Sequence, residues 1–447
     1  MPTLPLLATP EDYSLVTDLY QITMSACYVG EGLDQRRASF EVFARRLPQH
    51  FGYLIAAGLD QALEFLTAFH LTERHITALQ ATGIFAQAPA AFWTRLKDAR
   101  FTGDVWAVPE GTAVFANEPL LRIEAPLWQA QMVETYLLNT LNYQTLIASR
   151  AARLRDVAGP EAQLLEFGTR RAFSPQAALW AARAAIAGGL NATSNVLAAL
   201  SLGQKPAGTM AHALVMAIAA TQGSEADAFD AFHRYFPGAP LLIDTFDTLA
   251  AARHLAKTQQ QHGLAGIRLD SGDLVTLSQQ VRQLLPNVPI FASGDLDEYE
   301  ILRLKQAGAC IDGYGLGTRL VTGEPVNGVY KLVDIDGIPV MKEASGKITY
   351  PGRKQIFRAA DYAQDTLGLM AEAPPAHTQP LLKQVMHNGQ QLSPLEDLSA
   401  IAQRTAHSVQ RLPDTSRVIT EPQPFPVHIS PALADLTERT RRHQAPD

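Results

Sequence analysis

Between Pro240 and Thr322, four short apolar runs end abruptly, at Asp244, Asp270, Asp295 and Gly315. The runs read PLLIDTF, GIRLDSGDL, PIFASGDLDE and IDGYGLGTRLVT, and each passes into a helix-like segment. Carboxylates at strand ends can hold sugar hydroxyls or a divalent metal, and a Gly-rich turn can hold a phosphate. Arg268 and Asp270 alternate with apolar neighbours, so both face one side of a strand. There the guanidinium can fork onto a carboxylate or phosphate, while Asp270 accepts from ribose hydroxyls or binds Mg2+. A buried Arg–Asp pair with a helix cap at Ser271 or Asp273 would give the same residues. Asp295 likewise suits either a ribose ligand or a helix N-cap. In GYGLGTRLVTG (313–323), Gly315 and Gly317 let backbone N–H groups approach a phosphate, and Thr318 adds a hydroxyl. An ordinary Gly-rich turn would read alike.

Two further groups could do chemistry. EFGTRRAF (166–173) places Phe167 and Arg170 at a strand end that starts from the acidic Glu166. An aromatic face plus a guanidinium suits a planar heteroaromatic anion. The plainer alternative is a core Phe with two surface arginines. His212, in PAGTMAHALVM, stands at the start of a helix close to Thr209. The positive end of a helix favours a neutral, nucleophilic imidazole. A histidine with a purely structural role is the commoner case.

The elements that must position these residues follow from the spacing. Breaks about one βα unit apart indicate a parallel α/β sheet or barrel, with its ligand face at the carboxyl ends of the strands. The rhythm starts at QLLEF (163–167), includes helices over 176–188 and 211–221, and runs to about residue 325. Upstream, the pattern predicts a helix over 13–29, a strand over 38–45, helices over 57–69 and 89–98, and short strands within 103–125. A long helix is expected from Pro126, at its first turn, to about Arg155. Downstream, residues 328–342 predict a hairpin turning at Asp336-Gly337. A strand is expected at 354–358 and a helix over 395–412, with a loosely ordered Pro-rich end after Pro413. The expected fold is α/β: an irregular α/β barrel as the central catalytic domain (156–325). A flanking α+β domain is built from both chain ends, residues 1–155 with the long connecting helix and the β-rich residues 326–447.

Bulk properties narrow the function. The 447 residues suffice for two or three domains, and 47% are apolar. A net charge of −7 without a long basic run argues against nucleic acid or an anionic membrane surface as partner. Two cysteines, Cys27 and Cys310, exclude a disulfide framework and a Cys-rich zinc site, and suit a reducing cytoplasm. The N-terminal MPTLPLLATP makes a poor signal peptide, and no apolar run is long enough to span a bilayer.

Taken together, the motifs resemble nicotinate phosphoribosyltransferase, of the type II phosphoribosyltransferase group. The resemblance rests on TDLYQITM (17–24), ASFEVFAR, AAGLDQALEFL, LLEFGTRR, AGTMAHALV, IRLDSGDL, ASGDLDE, YGLGTRLVTG, GVYKLV and PGRKQIFR (351–358), in family order over roughly 340 residues. It implies transfer of phosphoribosyl from phosphoribosyl pyrophosphate to nicotinate, giving nicotinate mononucleotide and pyrophosphate for NAD salvage by the Preiss-Handler route. It also implies Mg2+ and coupling to ATP hydrolysis through a phosphohistidine, with His212 as that histidine. Arg268, Arg170 and Thr209 would hold the nicotinate carboxylate and phosphates. Phe167 and Tyr20 would sandwich the pyridine, Tyr20 coming from the other subunit of a homodimer with a shared active site. Asp270 and Asp295 would hold the ribose and the metal-bound diphosphate, and Gly315, Gly317 and Thr318 the 5′-phosphate. Nicotinamide-using relatives carry an acidic residue within the segment corresponding to GGLNATSNVLA (188–198). Here Ser194 aligns with it, which tolerates a carboxylate substrate.

Other readings compete. The same chemistry on nicotinamide is opposed by Ser194, and on quinolinate by the His212 segment. A non-catalytic nucleotide sensor on a decayed scaffold would be expected to lose the histidine or the acidic strand ends, yet all remain. An aldolase-like barrel would need a Lys at a strand end, and none is found.

Overall fold

Six short strands between residues 163 and 316 lie side by side in one parallel sheet. From edge to edge they are Ala192–Thr193, Gln163–Glu166, Gly313–Leu316, Ile290–Ala292, Ile267–Leu269 and Leu241–Leu242. Parallel strands need crossovers, and the helices Pro175–Ala187, Thr248–His262, Leu274–Leu284 and Glu298–Gln306 supply them. Apolar residues fill the buried positions of the sheet: Leu241, Leu242, Ile267, Leu269, Ile290, Ala292 and Leu316 are fully inaccessible. The computed structural model describes Leu4, residues 6–344 and residues 347–444. It divides into two compact units, Ile147–Glu324 around this sheet, and Met1–Leu146 with Pro325–Asp447. Residues 1–3 and 5 of the N-terminal segment read above lie outside the described residues.

The second unit is antiparallel in its larger sheet. Arg37–Phe43 lies between Val329–Ile335 and Pro119–Pro126, and Asp104–Ala107 and Lys383–His387 follow outward. The hairpin turns at Asp336 and Gly337, whose φ values of 51° and 80° match the paired positive φ of a tight two-residue hairpin loop. A fully buried Lys354 is ion-paired with Glu41 at 2.8 Å and donates to the carbonyls of Tyr350 and Gly352, so its charge is matched. Arg358 and Asp365, both fully buried, form a second such pair.

Several expected boundaries move. The helix expected over 13–29 starts at Leu19, because Asp18 is extended and its side chain accepts from Thr135 instead. Pro10–Leu15 forms a separate 3-10 helix. The long helix from Pro126 is two, Leu127–Met132 and Glu134–Ala158, and Pro126 is the N-cap of the first rather than its first residue. The end after Pro413 is not loose. Val427–Ile429 pairs in parallel with Asp365–Leu369, and Pro431–Gln444 is helical. Phe425 stacks on Phe115 at 3.9 Å and Leu433 is fully buried, so a few apolar anchors outweigh the Pro-rich composition. Residues 445–447 of that end lie outside the described residues. Among the described residues, no helix is long and apolar enough to cross a membrane.

Candidate functional site

The carboxyl ends of the parallel strands carry most of the residues singled out above. Phe167 follows the strand Gln163–Glu166, and its N–H donates to the Leu316 carbonyl at 2.7 Å. That bond ties Phe167 to the Gly-rich strand end. The ring covers Gly315 so closely that a Cβ there would lie 2.6 Å from two ring carbons. Only glycine fits, and its role is to let the Phe167 ring approach the backbone closely. Gly317 is the N-cap of the short helix Thr318–Val321. Ser194, half-buried, follows the edge strand Ala192–Thr193, and its N–H donates to the Glu166 carbonyl at 2.9 Å. Phe167, Gly315, Gly317, Thr318 and Ser194 are thus brought together. Arg170 lies on the exposed turn after Phe167.

On the other half of the sheet, Arg268 and Asp270 project from one strand face, 4.0 Å apart. Arg268 Nη2 donates to the Met210 carbonyl at 3.0 Å, which draws in the Thr209–His212 segment. Burial lowers the pKa of Arg268, and Asp270 and Asp244 oppose that shift. Its Nε is buried without a hydrogen-bond partner. A buried, under-partnered guanidinium is poised for an added acceptor. The Asp270 carboxylate accepts from the Ser293 hydroxyl and remains over a third exposed. Gly294, with φ 98°, follows Ser293, and a Cβ there would meet the Asp270 carbonyl at 2.4 Å. The helix after Asp270 is capped by Asp273, not Ser271, so Asp270 is left out of the capping.

His212 is the first residue of the helix His212–Gln222, whose N-cap is Ala211. It therefore does not cap its own helix. Nδ1 lies 3.1 Å from Thr245 Oγ1, and Nε2 lies 3.9 Å from Asp244 Oδ1. Asp244 is almost wholly buried; its Oδ2 accepts from the Asp270 N–H at 2.8 Å and the Ser271 hydroxyl at 2.7 Å. Oδ1 has no hydrogen-bond partner and faces the imidazole. One carboxylate thus links the Asp270 strand end to His212. The sequence marks Asp244 as one of three strand-end carboxylates without separating its role from those of Asp270 and Asp295. Glu225, first residue of Glu225–Tyr235, was missed altogether. Burial, with the negative charges of Asp244 and Asp247, pushes it up to about 7.

Two expected residues stand elsewhere. Asp295 does not cap the following helix, which Asp297 caps; it is exposed, with φ 50°, near the charge of Arg319. Tyr20 lies in the other unit, half-exposed, and its hydroxyl reaches Glu134 at 3.3 Å. Burial and the nearby carboxylates of Glu134 and Asp18 push it up to about 12, so it stays protonated.

Family models cover most of the chain. Residues 15–142 match the nicotinate phosphoribosyltransferase N-terminal domain, 162–291 the nicotinate phosphoribosyltransferase family, and 345–437 its C-terminal domain. The chain belongs to the nicotinate phosphoribosyltransferase family. Nicotinate phosphoribosyltransferase pncB2 of Mycobacterium tuberculosis strain H37Rv is 42% identical over 395 residues, covering 85% of this chain and 83% of its own. The Bacillus subtilis strain 168 nicotinate phosphoribosyltransferase is 42% identical over 370 residues, covering 78% of this chain and 73% of its own. Among solved structures, human nicotinic acid phosphoribosyltransferase superposes with a TM-score of 0.84 at 30% identity, over 95% of this chain and 99% of that one.

Proposed function

We propose that this chain transfers the phosphoribosyl group of phosphoribosyl pyrophosphate to nicotinate, forming nicotinate mononucleotide and pyrophosphate in the Preiss-Handler branch of NAD biosynthesis. The observation that carries the reading is one strand-end face holding Arg268 and Asp270 beside the Asp244–His212 pair. Arg268, with its unpartnered Nε, and Arg170 receive the anionic groups; Thr209 adds a hydroxyl. Phe167 supports the pyridine ring, and Gly315, Gly317 and Thr318 hold the 5′-phosphate. The nicotinate nitrogen attacks C1 of the ribose as the diphosphate leaves, so positive charge develops on the sugar. Asp270 faces that charge, and the enzyme's main task is orientation.

Among the described residues, no group of three acidic, His or Cys side chains gathers into a metal cage. Mg2+ does not need one, since it binds through one or two carboxylates, water and substrate phosphate. The exposed Asp295 and part-exposed Asp270 fit that donor set. When bound, Mg2+ supplies positive charge to the departing diphosphate. ATP is the cosubstrate: its γ-phosphoryl group passes to His212, which Asp244 orients, leaving ADP, and water later releases the phosphate. The family membership also supports reading the central sheet as an irregular barrel, incompletely hydrogen-bonded between the edge strands Ala192–Thr193 and Leu241–Leu242.

The direct test is turnover of phosphoribosyl pyrophosphate with nicotinate or nicotinamide, with and without ATP. Nicotinate is preferred by well over tenfold in kcat/KM. An amide leaves the arginines unpaired, at a cost of about 2–4 kcal/mol, and Ser194 offers no carboxylate to the amide N–H. Equal rates on both substrates would count against the assignment.

The working enzyme is a cytoplasmic homodimer, and Tyr20 of the partner subunit closes the second face of the ring. The support is the position of Tyr20, half-exposed on a helix of the other unit yet inside a family motif. Mixing inactive Tyr20→Ala chains with inactive Asp270→Asn chains restores partial activity, because one hybrid site is intact. No recovery after verified subunit exchange would exclude a shared site.

A further inference from the structure

Glu166 is a fully buried carboxylate at the end of the strand Gln163–Glu166, with no part in the chemistry above. One of its oxygens accepts from the Gly168 N–H, the other from the Thr193 hydroxyl. Its carbonyl accepts from the Ser194 N–H at 2.9 Å. Thr193 Oγ1 also accepts from the Asn195 N–H at 2.9 Å, which leaves it a second lone pair. Asn195 in turn caps the helix Val196–Ser201 through the Ala198 N–H. Burial pushes the Glu166 carboxyl up, while Thr193 and the Gly168 N–H pull it down.

We propose that Glu166 is a positioning residue that locks the Phe167 turn and Ser194 into one base-recognition pocket. The inference rests on the functional reading above. The edge strand is only two residues long, pairing Leu165 with Ala192 and Glu166 with Thr193. So short a ladder fixes its register weakly, and the carboxylate clamp adds the missing restraint. One arm holds the Phe167–Gly168 turn, whose ring lies on Gly315; the other holds the strand that delivers Ser194. Asp270 and His212 stand on or beside the strands Ile267–Leu269 and Leu241–Leu242 and bond to neither Glu166 nor Thr193, while the segment leading to Thr209 does meet the clamp, the Ala207 N–H donating to the Thr193 carbonyl at 2.9 Å. Releasing it therefore loosens the ring pocket first, and Asp270 and His212 least.

The test compares wild type, Glu166→Ala, Glu166→Gln and Thr193→Val for thermal stability and for KM of each substrate. Glu166→Ala and Thr193→Val raise the nicotinate KM about tenfold or more, with the KM for phosphoribosyl pyrophosphate within about threefold. Glu166→Gln keeps an acceptor for Gly168 and an amide for the Thr193 oxygen, and recovers most of the nicotinate affinity. If Glu166→Ala does not fold, the contrast between Thr193→Val and Glu166→Gln decides. An equal rise in both KM values, or an unchanged nicotinate KM in folded variants of an active enzyme, overturns the positioning role alone. A wild type that does not turn over nicotinate overturns the functional reading and this inference with it.

Discussion

Asp270→Asn lowers kcat by about a hundredfold or more while the fold survives. The carboxylate stands at a strand end, over a third exposed, with one oxygen on the Ser293 hydroxyl and Arg268 4.0 Å away. Asparagine is isosteric and can still accept from Ser293, so packing changes little. What is lost is a full negative charge opposite a sugar that becomes cationic in the transition state. Removing one such pre-placed electrostatic partner costs about 3–4 kcal/mol. The plainer alternative gave Asp270 only a capping or ion-pair role. Asp273 does the capping, and the Arg268 contact lies at the outer limit of an ion pair, so little structural work remains for Asp270. The check is kcat of the variant beside its circular dichroism and melting temperature. Near-normal kcat would reduce Asp270 to a bystander.

His212→Ala abolishes ATP hydrolysis and the stimulation by ATP, yet leaves slow phosphoribosyl transfer. Transfer needs the ring nitrogen, the ribose clamp and the diphosphate site, none of which is the imidazole. A phosphate on His212 would stand next to the buried Asp244, which is itself bonded to the Asp270 N–H. Charge added there is felt at Asp270, and couplings of this kind are worth about 1–3 kcal/mol, or a five- to 150-fold change in apparent affinity. KM for phosphoribosyl pyrophosphate with and without ATP, in wild type and variant, reads it directly. A variant that keeps the ATP effect refutes the phosphohistidine. Its stability should change little, since the side chain is 40% exposed and caps nothing.

The central strands were legible because each is short, apolar and cut off by a polar or small residue, and burial on both faces demands that pattern. The Asp336–Gly337 turn was equally plain, since Gly and Asp tolerate its positive φ values. What sequence reading missed carried weaker signals. Glu73–Ala81 is a mostly polar helix marked by a cap, Thr72 accepting from the His75 N–H. Glu225–Tyr235 has Ser224 as its cap, acids in its first turn and His233 and Arg234 in its last, a complete set of end signals without a strong apolar run. The link that Asp244 makes could not be read, because it depends on three residues, His212, Asp270 and Ser271, that only folding brings to it. The Pro-rich end misled for the opposite reason: composition averages over the few apolar residues that anchor it.

One feature of the antiparallel sheet bears on how the protein is made. Arg37–Phe43 pairs with Pro119–Pro126 on one side and Val329–Ile335 on the other, with Phe40 opposite Leu332. The second partner is separated from it by about 290 residues. At the usual pace of about 5–20 residues per second, a ribosome needs roughly 15–60 s to deliver it. During that interval the parallel sheet of the middle segment can close, while the early strand carries an open hydrogen-bonding edge flanked by apolar side chains. Such an edge is the kind that holdase chaperones cover and that neighbouring nascent chains seize. The wait ends once Val329–Ile335 has been made; Val427–Ile429 joins Asp365–Leu369 about 90 residues later.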